Sequence, residues 1–208
     1  MARTIPMIIT NKNILLKNRE NDEFIPFDMP GTENEMNIPF YHQFAEKLSE
    51  SQVAFKSFVR DVYGKKLNKN IFAIIIPDDT SALESIFINE FFVNSGACKA
   101  VAQMTMGQAL SKSEPKYISL SKSSRNIVLQ YINNNEVRVR KFYDLNDYDI
   151  NRIIEDAKRL HIDVEYDEVP LYINNFNMDM DDFFEYGTVI TPKMFMDKIA
   201  VIDVEKLK

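Results

Sequence analysis

Glycine is scarce in this chain, and its spacing excludes more than its number does. The five glycines are Gly31, Gly64, Gly96, Gly107 and Gly187, with no two of them within ten residues. A Walker-type loop and a dinucleotide fingerprint both need clustered glycines for close backbone approach to phosphate, so neither can be written here. Cysteine is nearly absent: Cys98 alone rules out an internal disulfide and gives no cluster for zinc. There are two histidines, His42 in a helical pattern and His161, and nothing places a nucleophile beside either one. No apolar run approaches the roughly 18 to 20 residues that span a bilayer. The opening "MARTIPMIIT" is too short in apolar residues for a signal peptide, so a cytoplasmic location is expected.

What is present is core material. Hydrophobic residues make up 45% and aromatics 12% of 208 residues, enough for one large domain or two small ones and too apolar for a disordered chain. The net charge of −6 argues against nucleic acid as a main partner, since phosphate affinity comes chiefly from Lys and Arg. That charge is unevenly spread. Lys112 to Tyr143 holds seven basic residues against Glu114 and Glu136, whereas Asp163 to Gly187 holds eight acidic residues and no Lys or Arg. The two segments are expected to pair; the alternative is a basic patch reserved for an outside partner.

Along the chain, Ile5 to Asp28 suggests three short strands with turns at residues 11–13 and 18–22. A helix is predicted from about Phe40 to Tyr63, with Phe44, Leu48, Phe55, Val59 and Val62 on one stripe, Asn37 as its cap and Gly64 as its stop. "IFAIIIP" (Ile71 to Pro77) is a strand buried on both faces. The helix after it has Ser81 and Glu84 in a capping box, with Asp78 and Asp79 accounted for by its positive end. A short strand near Lys99–Gln103 and a short helix near Thr105–Ser111 follow. Tyr117 to Asp144 then suggests three more strands, with turns at Ser121–Arg125 and Asn133–Asn135. Next come a helix from about Asp147 to Leu160, a strand at "IDVEYDEV" (Ile162 to Val169), an acidic segment, and strand character at "TVI" and "IAVIDV".

The second set of strands echoes the first. Lys12-Asn13-Ile14-Leu15-Leu16 aligns with Arg125-Asn126-Ile127-Val128-Leu129, and each meander leads into a helix and another strand. With the buried strand ending in Pro77 and the helix and turn that follow it, this duplicated order resembles the actin-like ATPase superfamily. That group includes actin, the bacterial rod-shape actin, heat-shock chaperone ATPases and sugar kinases. The resemblance implies an α/β fold of two ribonuclease H-like lobes, each a three-strand meander plus α-β-α-β, with the second lobe truncated. Residues 1–111 would form the first lobe and 112–208 the abbreviated second, with its acidic C-terminal segment.

The family's two phosphate hairpins each carry an Asp on the first strand and glycines in the turn, where this chain has "TNKN" and "SKSSRN" with neither. Its water-positioning acidic residue maps near Met104 and Thr105. The resemblance therefore implies a degenerate member that does not hydrolyse ATP, with no catalytic residue, no metal and no cofactor. The expected function is a non-catalytic scaffold or regulatory protein acting through self-assembly or another protein. The alternative is a nucleotide- or phosphate-ligand-binding protein, even a weak phosphotransferase. Its anion site would be Ser121, Lys122, Ser123, Ser124 and Arg125, whose hydroxyls, ammonium and guanidinium can hold phosphate without metal; the plainer reading of that turn is a solvated hairpin tip. The acidic run Asn174 to Gly187 fails the EF-hand template, which would place Met180 where Gly is needed and Tyr186 where Glu is needed.

Overall fold

A computed structural model describes residues 3–21, 23–33, 35, 37–110, 114–176 and 179–192. Its first half carries β1 (Arg3–Ile9), β2 (Ile14–Lys17), β3 (Phe24–Phe27), α1 (Leu48–Tyr63), β4 (Asn70–Ile76), α2 (Ala82–Asn94) and β5 (Ala100–Thr105). Its second half carries β6 (Lys116–Lys122), β7 (Asn126–Asn133), β8 (Glu136–Asp144), α3 (Ile150–Lys158), α4 (Ile162–Tyr166), β9 (Leu171–Asn174) and β10 (Thr188–Ile190).

The two halves repeat one topology. The first sheet has the order β3-β2-β1-β4-β5 and the second, taken from its other edge, β8-β7-β6-β9-β10. In each, an antiparallel three-strand meander is followed by two strands parallel to its first. The repeat in the sequence is thus a repeat of architecture.

The central strands β1 and β4 are apolar on both faces because each face meets a different layer. From β1 and β4, Ile5, Met7, Ile9, Phe72, Ile74 and Ile76 point into a core shared with α1 and α2. The alternate residues Ile8, Ala73 and Ile75 point the other way and pack with Tyr117, Ile132, Phe176 and Ile190 of the second half. Leu120, Ile127, Leu129 and Tyr131 then face α3 and Phe183. A period-2 strand delivers this division without any change in composition.

Aromatic rings dominate the first core. Phe55 is fully buried, with its ring centroid 4.8 Å from Phe92 and 5.7 Å from both Phe27 and Phe72. The outer edges are less apolar: β3 contains Pro26, and β8 exposes Glu136, Arg138, Arg140 and Asp144 on alternate positions.

Three local expectations need correcting. The helix predicted from Phe40 is a 3-10 turn over Phe40–Ala45, and α1 starts afresh after Lys47, so Asn37 does not cap it. Of the predicted stripe Phe44, Phe55 and Val59 are buried and Val62 packs against the same core, joined by Ser51 and Tyr63, whereas Leu48 at the restart is exposed. Ile162 to Tyr166 is a one-turn helix capped by the His161 side chain, where a strand was expected. Its alternation is not a burial pattern, since Ile162 and Tyr166 are exposed and only Val164 packs inward. "IAVIDV" lies outside the described residues.

Lys116 reaches Asp167 at 3.0 Å and Asp163 at 3.8 Å, and Lys122 reaches Asp179 at 2.8 Å, so basic and acidic segments pair at these points. Arg125, Arg138 and Lys141 find their carboxylates elsewhere, the latter two on Glu136 and Asp156.

Phe55→Ala empties the centre of the aromatic cluster and is expected to cost about 3–5 kcal/mol. Urea unfolding followed by circular dichroism measures it, with the midpoint falling at an unchanged slope.

Candidate functional site at the junction of the two sheets

The carboxyl ends of β4 and β6 meet, and the meeting is polar. Pro77 closes β4, and the carboxylates of Asp78 and Asp79 follow at once. Asp78 is buried to 1% exposure. Its Oδ1 accepts from the Gly107 N–H at 2.8 Å, and its Oδ2 accepts from the Ser121 hydroxyl at 2.5 Å. Burial pushes the Asp78 carboxyl up from its ordinary pKa, opposed by those two bonds and by the nearby Arg140 charge.

At Gly107 the two sheets approach closely. A Cβ there would stand 2.5 Å from Gln130 Oε1, 3.1 Å from Asp78 Oδ1 and 3.2 Å from Ser119 Oγ. The Tyr117 hydroxyl donates to the Gly107 carbonyl at 2.5 Å, and Asn174 Nδ2 donates to Ser119 Oγ at 2.9 Å. Glycine serves here for lack of a side chain, which lets donors from both sheets reach one carboxylate.

Asp79 and Glu84 take up the hairpin that joins β6 to β7. Asp79 Oδ2 accepts from Ser123 Oγ at 2.6 Å, Asn126 Nδ2 at 3.1 Å and Arg125 Nε at 3.2 Å. Arg125 Nη2 donates to the Asp79 carbonyl at 2.9 Å, and Nη1 donates to Glu84 Oε1 at 2.8 Å. Glu84 also completes the capping box of α2 and meets His42 Nε2 at 2.5 Å. Burial alone would raise the Glu84 carboxyl, but the bonds from Arg125, the Ser81 N–H and His42 outweigh it and hold it at about 2. The capping box is as the sequence predicts. The helix-end role expected for Asp78 and Asp79 is not what their side chains do: they reach across to the second sheet.

The hairpin tips of the two halves match bond for bond. Thr10 Oγ1 accepts from the N–H groups of Lys12 (3.2 Å) and Asn13 (3.0 Å), and the Thr10 N–H donates to the Asn13 carbonyl at 3.0 Å. Ser123 Oγ accepts from the N–H groups of Arg125 and Asn126, both at 3.0 Å, and the Ser123 N–H donates to the Asn126 carbonyl at 2.9 Å. In both, a hydroxyl on the chain itself takes the backbone donors of the turn.

Of the five residues singled out in "SKSSR", the structure joins three to first-half carboxylates: Ser121 to Asp78, and Ser123 and Arg125 to Asp79. Lys122 turns away to Asp179, and Ser124 lies at the tip, half-buried. The carboxylates that meet the hairpin come from 41 to 46 residues upstream, a link that no local pattern announces. Among the described residues no group of three or more His, Cys, Asp or Glu side chains is arranged to hold a metal ion.

Replacing Arg125 by Met leaves the carboxylates of Asp79 and Glu84 without their cation in a part-buried site, at an expected cost of about 2–3 kcal/mol at neutral pH. A carboxyl held at about 2 against an ordinary 4.5 contributes stability that is present above pH 4.5 and lost as the pH falls towards 2. Unfolding curves between pH 2 and 6 should therefore fall less steeply on the acid side in Arg125→Met than in the parent.

No family model and no curated protein matches the chain in sequence. Solved structures do match it in shape. A filament of AlfA bound to AMPPNP superposes with a TM-score of 0.54 at 12% identity, covering 100% of this chain and 98% of that one. A putative N-acetylglucosamine kinase from Porphyromonas gingivalis superposes with a TM-score of 0.56 at 9% identity, covering 94% and 97%. At such identities the likeness concerns fold alone, and it agrees with the duplicated sheet order. The chain has the two-lobed fold of the actin-like ATPase superfamily.

Proposed function

We propose that this chain is a non-catalytic scaffold or regulatory protein that works through contacts with copies of itself or with another protein. The observation that carries this reading is the state of the two hairpin tips. At both tips a side-chain hydroxyl takes the backbone N–H groups that a phosphate would need. At the second tip Arg125 is spent on Asp79 and Glu84 as well. Neither tip carries an Asp or a Gly. A phosphate entering here would have to break charge-assisted bonds and face the carboxylates of Asp78 and Asp79.

In this reading residues 1–111 form one lobe and 112–208 the second, abbreviated one. The fold is compatible with self-assembly, as the AlfA filament illustrates for a protein of the same shape. The AMPPNP in that structure equally favours the second reading, a nucleotide-binding protein using Lys122, Ser123, Ser124 and Arg125. The net charge of −6 speaks against nucleic acid as the partner.

The two readings separate in thermal-shift measurements with ATP, ADP and tripolyphosphate, each with and without magnesium. The scaffold reading expects no stabilisation by magnesium-ATP beyond that given by tripolyphosphate. A magnesium-dependent, adenine-dependent shift would establish the nucleotide reading instead. Light scattering over a concentration series tests assembly: mass should grow with concentration, and a strictly monomeric protein would confine the scaffold role to other partners.

A further inference from the structure

Far from the junction, at the opposite end of the first sheet, the side chains of Arg3, Arg19, Lys65, Lys66 and Lys69 line a pocket of about 340 Å³ together with Tyr63. We propose that this pocket binds a compact polyphosphate, a soluble ligand carrying two or more linked phosphoryl groups. The site is assembled from four separate places in the chain. Arg3 begins β1, where it is in register with Asn70, and Lys69 immediately precedes β4. Lys65 and Lys66 follow the Gly64 stop of α1, and Arg19 sits in the turn after β2. Among the described residues no carboxylate lines the pocket. Among the described residues, the acids close to Arg19 in sequence, Glu20 and Glu23, are not among its walls, and the Glu23 carboxylate accepts from Asn21.

One wall is fixed and the rest is free to close. Arg3 donates to Asn70 Oδ1 through Nε at 3.1 Å and Nη2 at 2.5 Å, and to the Tyr63 carbonyl at 3.3 Å through Nη1. Its guanidinium lies 4.5 Å from the centre of the Tyr63 ring. Three of its five N–H groups are thereby occupied and two remain. Arg19, Lys65, Lys66 and Lys69 make no ion pair among the described residues. Burial lowers the pKa of Arg3, and the Arg19 charge adds to that effect, so the cations already act on one another.

The carbonyl end of α1 attracts cations and accounts for Lys65 and Lys66. It does not account for Arg3, Arg19 and Lys69, which come from three other segments of an acidic chain. Gathering like charges in a concave site is unfavourable until an anion enters, and a ligand of comparable charge density relieves most of it. The volume suits a di- or triphosphate. A long polyanion would also meet the rest of a chain whose net charge is −6, which favours a short ligand. The seven residues of β4 separate this end from the Asp78 junction, about 20 Å of strand, so the pocket is independent of the hairpin tips.

Isothermal titration of the full chain with inorganic phosphate, pyrophosphate and tripolyphosphate tests the proposal. Affinity should rise along that series, weaken with salt, and weaken when magnesium neutralises the ligand. The exposed pair Lys65→Ala and Lys66→Ala, made together, should weaken tripolyphosphate by about tenfold or more without lowering the melting temperature. Arg125→Met should leave the titration unchanged. No heat with any of the three anions would overturn the proposal. So would binding that is lost in Arg125→Met and kept in the double variant, or charge reversal at Lys65 and Lys66 that abolishes self-association while tripolyphosphate binding persists.

Discussion

A carboxylate buried as completely as that of Asp78 has to be met by donors, and it meets one from each half of the chain. One is the Gly107 N–H, just past β5, and the other is the Ser121 hydroxyl on the first strand of the second sheet. This requirement fixes how the two halves sit. The apolar contacts of Ile8, Ala73 and Ile75 with Tyr117, Ile132 and Phe176 would tolerate some sliding. The Asp78 bonds do not, because losing one leaves a polar group unpaired in a dry site. Hydrophobic burial supplies most of the stability, and the polar junction supplies the register.

The same junction sets the chemistry of the hairpin tips. A hairpin that grips phosphate needs open backbone donors, a carboxylate to organise the metal, and room between the lobes. Here the donors of both tips are turned onto Thr10 and Ser123, and the carboxylates sit on the far side, facing the hairpin. Arg125 and Ser123 hold the second-half hairpin to carboxylates of the first half.

The duplicated meander, the doubly buried β4 and the capping box of α2 were legible in the sequence, because each depends on residues within a few positions of one another. The alignment of Lys12-Asn13 with Arg125-Asn126 was also legible, and the matching turn geometry gives it a physical basis. The tie of Asp78 and Asp79 to the second hairpin was not. Their local position at a helix start offered a sufficient explanation, and their true partners lie more than 40 residues away. The break at Glu46 and Lys47 and the short helix at Ile162 failed for a different reason: a stripe or an alternation of five residues fits more than one backbone, and packing decides. The basic pocket escaped notice because its cations are scattered from Arg3 to Lys69 and become neighbours only when β1 lies against β4.

The outer edges of the sheets carry a consequence for any assembly. An open strand edge is a template for another strand, and the edge strand β8 exposes the charged Glu136, Arg138, Arg140 and Asp144, with Phe142 between the last two. The edge strand β3 has Pro26, which lacks the N–H a pairing neighbour would need. Continuous sheet growth from one copy into the next is blocked on these sides. At these two edges, contacts between copies would run through side chains and not through backbone pairing of the kind that builds amyloid-like stacks.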